Sequence, residues 1–258
     1  TPTRSSIVLD ASSPAIEFVN PTPGNNTYKS ETFVIINTTI TETYLKDLKF
    51  NWNNTNYTMY NDSLVLMFNF DNVSAIGDNA TYVVDVSNYG NNGTFEGDTY
   101  FNCTNNKYGC AVQFDGTGDY IDLGNPASLD VNEQTITAWL KTDVVDGNWH
   151  FAYGAGSTTW GVDYGISQGN KWATEFQNTD ETWDLLEGST PTAGQWMYLS
   201  FVYNGSNIYL YENGVLVDSG SMTGSMFASN TYYIGSKNNG GFKWDGTIDE
   251  LRIWNRSL

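Results

Sequence analysis

The stretch Tyr209–Val217, with the sequence YLYENGVLV, places an Asn-Gly pair between two runs of aromatic and β-branched residues. Asn-Gly fits the type I′ turn that joins two antiparallel strands, so the stretch predicts a β-hairpin. Similar short runs, separated by turn residues, recur from Leu64 to the C-terminus. We therefore predict that residues 63–258 form an all-β, two-sheet jelly roll. The clearest predicted strands are Leu64–Phe70, Val112–Phe114, Tyr120–Leu123, Thr135–Lys141, Trp149–Tyr153, Trp196–Tyr203, Asn207–Glu212, Val215–Ser219, Thr231–Ile234 and Gly246–Ile253.

Composition supports a strand-rich fold and disfavours several classes of protein. Aromatic residues make up 15% of the chain and charged residues only 16%, whereas long amphipathic helices need many Ala, Leu, Glu and Lys residues. The net charge is −18, so binding to nucleic acid or to an anionic membrane surface is disfavoured. No run approaches the roughly 18 apolar residues of a membrane span. Because the chain starts at Thr1 without Met, we expect a mature or excised fragment.

Two cysteines, Cys103 and Cys110, enclose the short, turn-rich segment TNNKYG. An even pair closing such a loop predicts a disulfide and an oxidising compartment. The alternative is a pair of reduced thiols in a cytosolic loop. No other cysteine is present, and His150 is the single histidine, so the sequence offers no zinc site.

Asparagine sequons give the second indication of compartment. Nine of the eleven Asn-x-Ser/Thr sequons lie in the first 104 residues, more than the composition of that part accounts for. Since N-glycans are bulky and solvated, this asymmetry predicts a secreted or cell-surface glycoprotein with a decorated N-terminal half and a barer working half. The predicted glycosylation sites are Asn25, Asn37, Asn53, Asn56, Asn61, Asn72, Asn79, Asn92, Asn102, Asn204 and Asn255.

The N-terminal part differs from the rest. Residues 14–62 offer about four strands, one of which is predicted at Thr32–Asn37. Together they resemble part of an immunoglobulin-like sandwich. Half a sandwich leaves an apolar face and strand edges in water. Either this unit packs on the jelly roll, or it accepts a strand from another copy. The isolated segment Ser5–Asp10, within an N-terminal strand and linker of residues 1–13, is suited to such donation, which would build a linear homo-polymer.

Six stretches in order along the jelly-roll part resemble the laminin-G-like branch of the concanavalin A-like lectin/glucanase superfamily. This resemblance covers residues 64–258 and implies a concanavalin A-like jelly roll. In the family pattern the position of Cys110 is usually a small residue. The matching stretches are Leu66–Asp71 (LMFNFD), Asp85–Thr94 (DVSNYGNNGT), Lys107–Leu123 (KYGCAVQFDGTGDYIDL), Ile136–Lys141 (ITAWLK), Trp196–Tyr211 and Ile248–Leu258 (IDELRIWNRSL).

The resemblance also implies a structural calcium ion, because many relatives hold one at the edge of the jelly roll. The corresponding carboxylates here are Asp71, Asp85 and Asp249, and calcium prefers such hard oxygen ligands. The alternative is that Asp71 and Asp85 cap turns and that Asp249 pairs with Arg252. The Asp115–Asp119 segment also has the carboxylates of a loop metal site, but the resemblance implies that it is a strand-connecting turn.

The superfamily includes glucanases, but the sequence does not predict an enzyme. Retaining glycosidases need two carboxylates about 5 Å apart on one face. Asp184 and Glu187 have the wrong spacing for one strand face, Asp249 and Glu250 are adjacent, and Glu175 stands alone. With His150 as the single histidine, a serine triad lacks support too.

Carbohydrate binding needs flat aromatic surfaces with amide and carboxylate partners around them. Such residues fall in the long polar region 154–190 and in a Gly-rich loop near residue 240, where edge packing is the alternative interpretation. The predicted ligand-binding residues are Trp160, Tyr164, Trp172, Trp183, Asn239 and Trp244.

These observations predict an extracellular, N-glycosylated, non-enzymatic adhesion or recognition module that binds glycan or a surface protein. The alternative function is structural: a subunit of an extracellular filament or surface layer that assembles by strand exchange.

Overall fold

Antiparallel β-strands make up nearly all of the regular structure in the computed structural model. It describes residues 14–20, 22–24, 27–28, 30, 36–41, 48–52, 55–156, 161–180, 182–226, 231–237 and 241–258. The chain separates into two compact units, Thr1–Asn61 and Asp62–Leu258. Within these ranges no helix is long and apolar enough to cross a membrane. The predictions on residues 1–13, Asn25, Asn53, Trp160 and Asn239 lie outside the described residues.

The N-terminal unit contains two separate pairs of strands in its described part. Strand β1 (Ala15–Val19) pairs with β2 (Asn37–Thr41), and β3 (Leu48–Trp52) pairs with β4 (Thr55–Tyr60). The predicted strand at Thr32–Asn37 lies mostly outside the described residues, since residues 32–35 are among those not described. An immunoglobulin-like arrangement of this unit stays a prediction.

In its described part the C-terminal unit holds sixteen strands and one short 3₁₀ helix, Ala127–Leu129. Its strands are β5 (Leu64–Phe68), β6 (Tyr82–Val83), β7 (Gly93–Glu96), β8 (Tyr100–Asn102), β9 (Ala111–Asp115), β10 (Tyr120–Asp122), β11 (Gln134–Thr142), β12 (His150–Gly156), β13 (Val162–Ile166), β14 (Trp172–Gln177), β15 (Trp183–Glu187), β16 (Met197–Tyr203), β17 (Asn207–Glu212), β18 (Val215–Ser221), β19 (Thr231–Ile234) and β20 (Asp245–Trp254).

These strands form two large antiparallel sheets, as expected for a concanavalin A-like jelly roll. The first sheet has the order β15-β14-β13-β12-β19-β10-β7-β6. The second has the order β18-β17-β16-β11-β20-β9-β8, and β5 also pairs with β20. Both sheets contain strands far apart in sequence, so long-range pairing defines the fold. The predicted all-β fold is confirmed.

The core lies between the sheets and is filled by side chains from strands of both. On β13 the side chains of Val162, Tyr164 and Ile166 belong to this core, as do Leu199 and Phe201 of β16. The hydroxyl of Tyr164 donates a hydrogen bond of 2.6 Å to the Leu199 carbonyl, linking the two sheets. Each large apolar side chain buried in this way stabilises the fold by about 1.5–3 kcal/mol.

The opening hairpin of the sequence analysis is confirmed. Glu212 of β17 faces Val215 of β18 across the two-residue turn Asn213-Gly214. Both turn residues have positive φ, 49° and 80°, as a type I′ turn requires.

Candidate functional site

A cleft opens on the outer face of the first sheet, across strands β13, β14 and β15. Because alternate residues of β13 and β14 fill the core, the residues between them face outward. Antiparallel register places Asp163 opposite Glu175, and Gln177 opposite Trp183. The cleft measures about 340 Å³, and its described lining residues are Gly161, Asp163, Glu175, Gln177 and Trp183.

An ion pair forms the floor of the cleft. The Nζ of Lys237 donates to Oδ2 of Asp163, and each side chain is only 2% exposed. A side chain at position 154 would lie 2.9 Å from the Ser236 carbonyl and 3.1 Å from Cβ of Lys237. Gly154 therefore lets the segment that carries Lys237 approach the sheet closely.

Burial controls the ionisation of both carboxyl groups in the cleft. Removal from water raises the pKa of Asp163 to about 7, although the Lys237 ammonium acts in the opposite direction. Burial also raises the pKa of Glu175, and Lys237 again opposes the shift. Asp163 is paired with Lys237 at the floor of the cleft. Glu175 lies on the neighbouring strand β14 and is half-buried. Glu175 is therefore the acidic group of this cleft that a ligand can reach.

Trp183 forms the wall of the cleft and is 62% exposed. It opens β15 at the edge of the first sheet, opposite Gln177. An exposed indole beside a carboxylate and an amide offers a flat apolar surface with hydrogen-bonding groups at its border. Of the six predicted ligand-binding residues, Trp183 is the one that the described structure places on an accessible surface.

Three other predicted ligand-binding residues are buried, so their assignment to a binding surface is wrong. Tyr164 and Trp244 are fully buried, and Trp172 is 1% exposed. The rings of Trp172 and Trp244 lie 6.3 Å apart within the core. The physical reason is that the region 154–190 contains the strands β13, β14 and β15. Tyr164 of β13 and Trp172 of β14 occupy core-facing positions of these strands. Trp160 and Asn239 lie outside the described residues.

Asp163, Glu175 and Gln177 cannot be recognised as a group from spacing along the sequence. Glu175 stands alone when carboxylates are compared along single strands. Asp163 is twelve residues away in sequence but directly opposite Glu175 in the sheet. The alternation of Val162, Asp163 and Tyr164 was the available signal, since it predicts an outward carboxylate between two core residues.

A second site with buried carboxylates surrounds the disulfide loop. Cys103 and Cys110 are joined in a disulfide. Oδ2 of Asp249 accepts hydrogen bonds from the backbone N–H groups of Lys107 (3.0 Å) and Tyr108 (2.9 Å), and Oδ1 of Asp71 accepts one from Cys110 (3.0 Å). Both carboxylates thus hold the same loop from the jelly-roll side.

Asp249 is fully buried, and its Oδ1 has no hydrogen-bond partner. Burial raises its pKa to about 7, the backbone N–H of Tyr108 lowers it, and the charges of Glu250 and Asp71 raise it further. The alternative that Asp249 pairs with Arg252 is wrong, because Arg252 pairs with Glu250. Glu250 occupies an irregular position of β20 with φ 53°, which is typical of a β-bulge.

Asp85, the third predicted calcium ligand, has a different environment. Its two oxygens accept hydrogen bonds from the backbone of Met67, Ser87 and Asn91 and from the Ser87 hydroxyl. Asp85 therefore anchors the turn after β6, as in the turn-capping interpretation. The orphaned oxygen of Asp249 fits a cation ligand, while Asp85, with both oxygens engaged, does not. Calcium binding stays a prediction.

Within the described ranges, one group of three acidic side chains has carboxylate oxygens within 4.8 Å of one another. It consists of Asp98, Asp115 and Asp119, not of the three predicted calcium ligands. Asp119 accepts backbone hydrogen bonds from Asp98 and Asp115. Burial raises the pKa of Asp119 to about 6, against the effect of these two hydrogen bonds. The bond from Asp115 closes the turn between β9 and β10, and the bond from Asp98 ties that turn to the one between β7 and β8.

The sequon asparagines of the C-terminal unit occupy two kinds of position. Asn72, Asn79 and Asn255 are exposed. The side-chain oxygens of three others accept backbone hydrogen bonds in turns: Asn92 from Asp85, Asn102 from Thr104 and Asn105, and Asn204 from Ser206 and Asn207. In the N-terminal unit Asn61 is half-buried, and Asn37 and Asn56 lie in β2 and β4. Glycosylation itself stays a prediction.

Comparisons with solved structures show where the fold recurs. The receptor-binding domain of botulinum neurotoxin C/D mosaic serotype is similar over 76% of this chain and 49% of its own length, with 18% identity and a TM-score of 0.61. The binding domain of botulinum neurotoxin DC, solved in complex with SialylT, is similar over 76% and 48%, with 15% identity and a TM-score of 0.58. The chain thus spans about half the length of these neurotoxin domains.

A smaller domain matches along almost its whole length. Domain 4 of AbnA, a GH43 extracellular arabinanase from Geobacillus stearothermophilus solved with arabinotriose, is similar over 76% of this chain and 94% of its own, with 23% identity and a TM-score of 0.53. No curated protein matches the chain. The family model Laminin_G_3, described as the concanavalin A-like lectin/glucanases superfamily, matches residues 115–258, more than half of the chain. The chain therefore belongs to the concanavalin A-like lectin/glucanase superfamily.

Proposed function

We propose that this protein is an extracellular, non-enzymatic glycan-binding module whose binding site is the cleft on β13, β14 and β15. In this proposal Trp183 stacks on a sugar ring, while Glu175 and Gln177 form hydrogen bonds with sugar hydroxyl groups. The observation that carries the proposal is the exposed indole of Trp183 beside these two polar side chains.

The exposure of Trp183 contrasts with the burial of Trp172, Trp244 and Trp254 in the same unit. An exposed indole forgoes the stabilisation that burial gives the other tryptophans, which favours a role in binding. Sugars present alternating apolar faces and hydroxyl edges, so a ring with adjacent hydrogen-bonding groups suits them. Two structural neighbours solved with sugar ligands, the AbnA domain with arabinotriose and the neurotoxin domain with SialylT, support this class of ligand.

The cleft is poorly suited to glycoside hydrolysis, although it contains two carboxylates on facing strands. Two-carboxylate hydrolysis requires both groups to reach the substrate. Asp163 is 2% exposed and is held by Lys237, so Glu175 is the carboxylate of the described lining that can contact a ligand. This difference in access supports binding without catalysis.

The disulfide and the cluster of sequons support a secreted or cell-surface location. A surface protein is the second kind of partner for an adhesion module. The alternative of a filament subunit depends on Ser5–Asp10, which lies outside the described residues, and stays a prediction.

The test is binding of the full chain to an array of oligosaccharides that includes arabino-oligosaccharides and sialylated lactose. We expect the Trp183→Ala variant to lose at least about tenfold in affinity for every glycan bound, because stacking residues at the centre of a site dominate its affinity. The matched control is Tyr100→Ala, since Tyr100 is also an exposed aromatic residue but lies on β8 of the second sheet. The absence of any bound glycan, or equal binding by the Trp183→Ala variant, would contradict the proposal.

A further inference from the structure

The charges of the cleft define which glycans it accepts. We propose that the cleft selects uncharged glycans and rejects acidic ones, and that Glu175 is the residue that sets this specificity. This inference rests on the proposed function and adds the class of ligand to it.

The described lining of the cleft carries a negative charge without an available positive partner. Asp163 and Lys237 form a buried pair, so their charges offset one another at the floor. Gly161, Gln177 and Trp183 are uncharged, which leaves Glu175 as the accessible charged group. A carboxylate on a ligand would therefore meet a carboxylate and no accessible ammonium or guanidinium among these residues.

The surroundings of the cleft reinforce this imbalance. Between positions 151 and 190 the sequence has one basic residue, Lys171, which directly precedes β14. Its Nζ donates a hydrogen bond to the Thr190 hydroxyl. The net charge of the whole chain is −18. Its overall field thus repels acidic ligands as well.

A sugar hydroxyl and an acidic substituent interact with Glu175 in opposite ways. A hydroxyl donates a hydrogen bond to the carboxylate, and bonds to a charged acceptor are stronger than neutral ones. A second carboxylate at hydrogen-bonding distance repels the first, and the repulsion is strengthened where burial lowers the effective dielectric. We expect this difference to weaken acidic ligands by about tenfold or more relative to uncharged ones.

The experiment uses an array built only of matched pairs, each an uncharged oligosaccharide and its acidic counterpart. The pairs include lactose with sialyl-lactose and methyl-esterified oligogalacturonide with its free acid. Some pairs will contain an oligosaccharide that the full chain binds. In each of these pairs we expect the uncharged member to bind at least about tenfold more tightly than the acidic one. Higher salt should narrow this ratio, because it screens the repulsion.

The deciding variant is Glu175→Gln, which removes the charge and keeps the shape. We expect the preference for the uncharged member to fall about tenfold in this variant. The conservative variant Glu175→Asp should keep the preference, and so should Glu133→Gln, a control at an exposed position on the other side of the core. Melting curves of all three verify folding.

The outcomes separate the two proposals. If the full chain binds both members of its pairs equally, or prefers the acidic ones, the specificity inference is overturned while glycan binding stands. An unchanged preference in Glu175→Gln overturns the role of Glu175. If no member of any pair binds, both proposals are overturned.

Discussion

Two regions of the C-terminal unit bury a carboxylate and solve the resulting electrostatic problem differently. Under the cleft, Asp163 is paired with the ammonium group of Lys237. Beside the disulfide loop, Asp249 accepts two backbone hydrogen bonds on one oxygen and none on the other. Burial raises the pKa of each to about 7. In both regions Oδ1 of the carboxylate has no hydrogen-bond partner. The regions differ in that Asp163 has an ammonium group as counter-charge, whereas Asp249 has backbone N–H groups.

This difference has consequences for function. Because the Asp163–Lys237 pair holds the floor in place, the cleft has a fixed shape. Glu175, Gln177 and Trp183 are then the residues that contact a ligand. The disulfide loop instead combines Asp249 with the nearby charges of Asp71 and Glu250, which raise its pKa. Such a group responds to protons or cations. We therefore expect the cleft region to depend on its ion pair, and the loop region to depend on the charge of Asp249 and on cations that could offset it.

The largest expected effect comes from breaking the ion pair. Lys237→Met keeps much of the side-chain length but leaves Asp163 without its counter-charge. We expect the free energy of unfolding to fall by about 3–5 kcal/mol at pH 8, because removing one partner of a buried pair leaves the other uncompensated. The loss should be smaller at pH 5, where Asp163 takes up a proton. Urea unfolding at both pH values measures it.

The matched control is the double variant Lys237→Met with Asp163→Asn, which also removes the acidic partner. It should recover part of the lost stability at pH 8, since no buried charge is then left unpaired. A loss below about 1 kcal/mol in the single variant would mean that the pair is open to water and not the rigid floor described above.

The contrast between the regions also indicates what sequence reasoning can reach. The hairpin β17–β18 can be predicted from the sequence because Asn213-Gly214 favours the type I′ turn and lies between two strand-like runs. Strands β13–β15 were missed, because the outward positions carry Gly161, Asp163 and Gly165 and the stretch appears polar. Val162, Tyr164 and Ile166 still form an alternating apolar pattern, but the polar and glycine residues between them obscure it.

Partnerships over long sequence distances are harder to predict. Asp163 and Lys237 are separated by 74 residues, and nothing local to either one indicates the other. Asp249 was singled out through the family resemblance, but its partners are backbone N–H groups of the Lys107–Cys110 loop, 142 and 141 residues away. A backbone donor has no sequence signature, so its identity requires the folded chain.

The second expected effect is a dependence of stability on pH through Asp249. An unfolded Asp titrates near pH 4, and the folded group titrates at about 7. Because the folded pKa is the higher one, the stabilisation is complete below pH 4 and is lost as pH rises through 7. Between pH 5 and pH 8 we expect a loss of about 3 kcal/mol from this group. The difference between wild type and Asp249→Asn in urea unfolding isolates it, since the other titrating groups are common to both.

If both proteins lose the same stability between pH 5 and pH 8, Asp249 is not the titrating group. Asp163 is then the remaining candidate with a pKa of about 7. The Asp163→Asn variant measured over the same range assigns the effect.

The smallest expected effect is that of calcium on the loop region. An ion bound to the orphaned oxygen of Asp249 and to Asp71 would hold both carboxylates ionised and offset their repulsion. At a calcium concentration ten times its Kd, binding to the folded state alone raises the free energy of unfolding by about 1.4 kcal/mol. Melting of calcium-loaded and chelator-treated protein at pH 8 measures this difference.

The Asp249→Asn variant should abolish the stabilisation by calcium. Asp98→Asn, in the other acidic group, should leave that stabilisation intact. Loss of the effect in Asp98→Asn alone would assign the ion to the β9–β10 turn, and an unchanged wild-type melting curve in chelator would contradict calcium binding at either place.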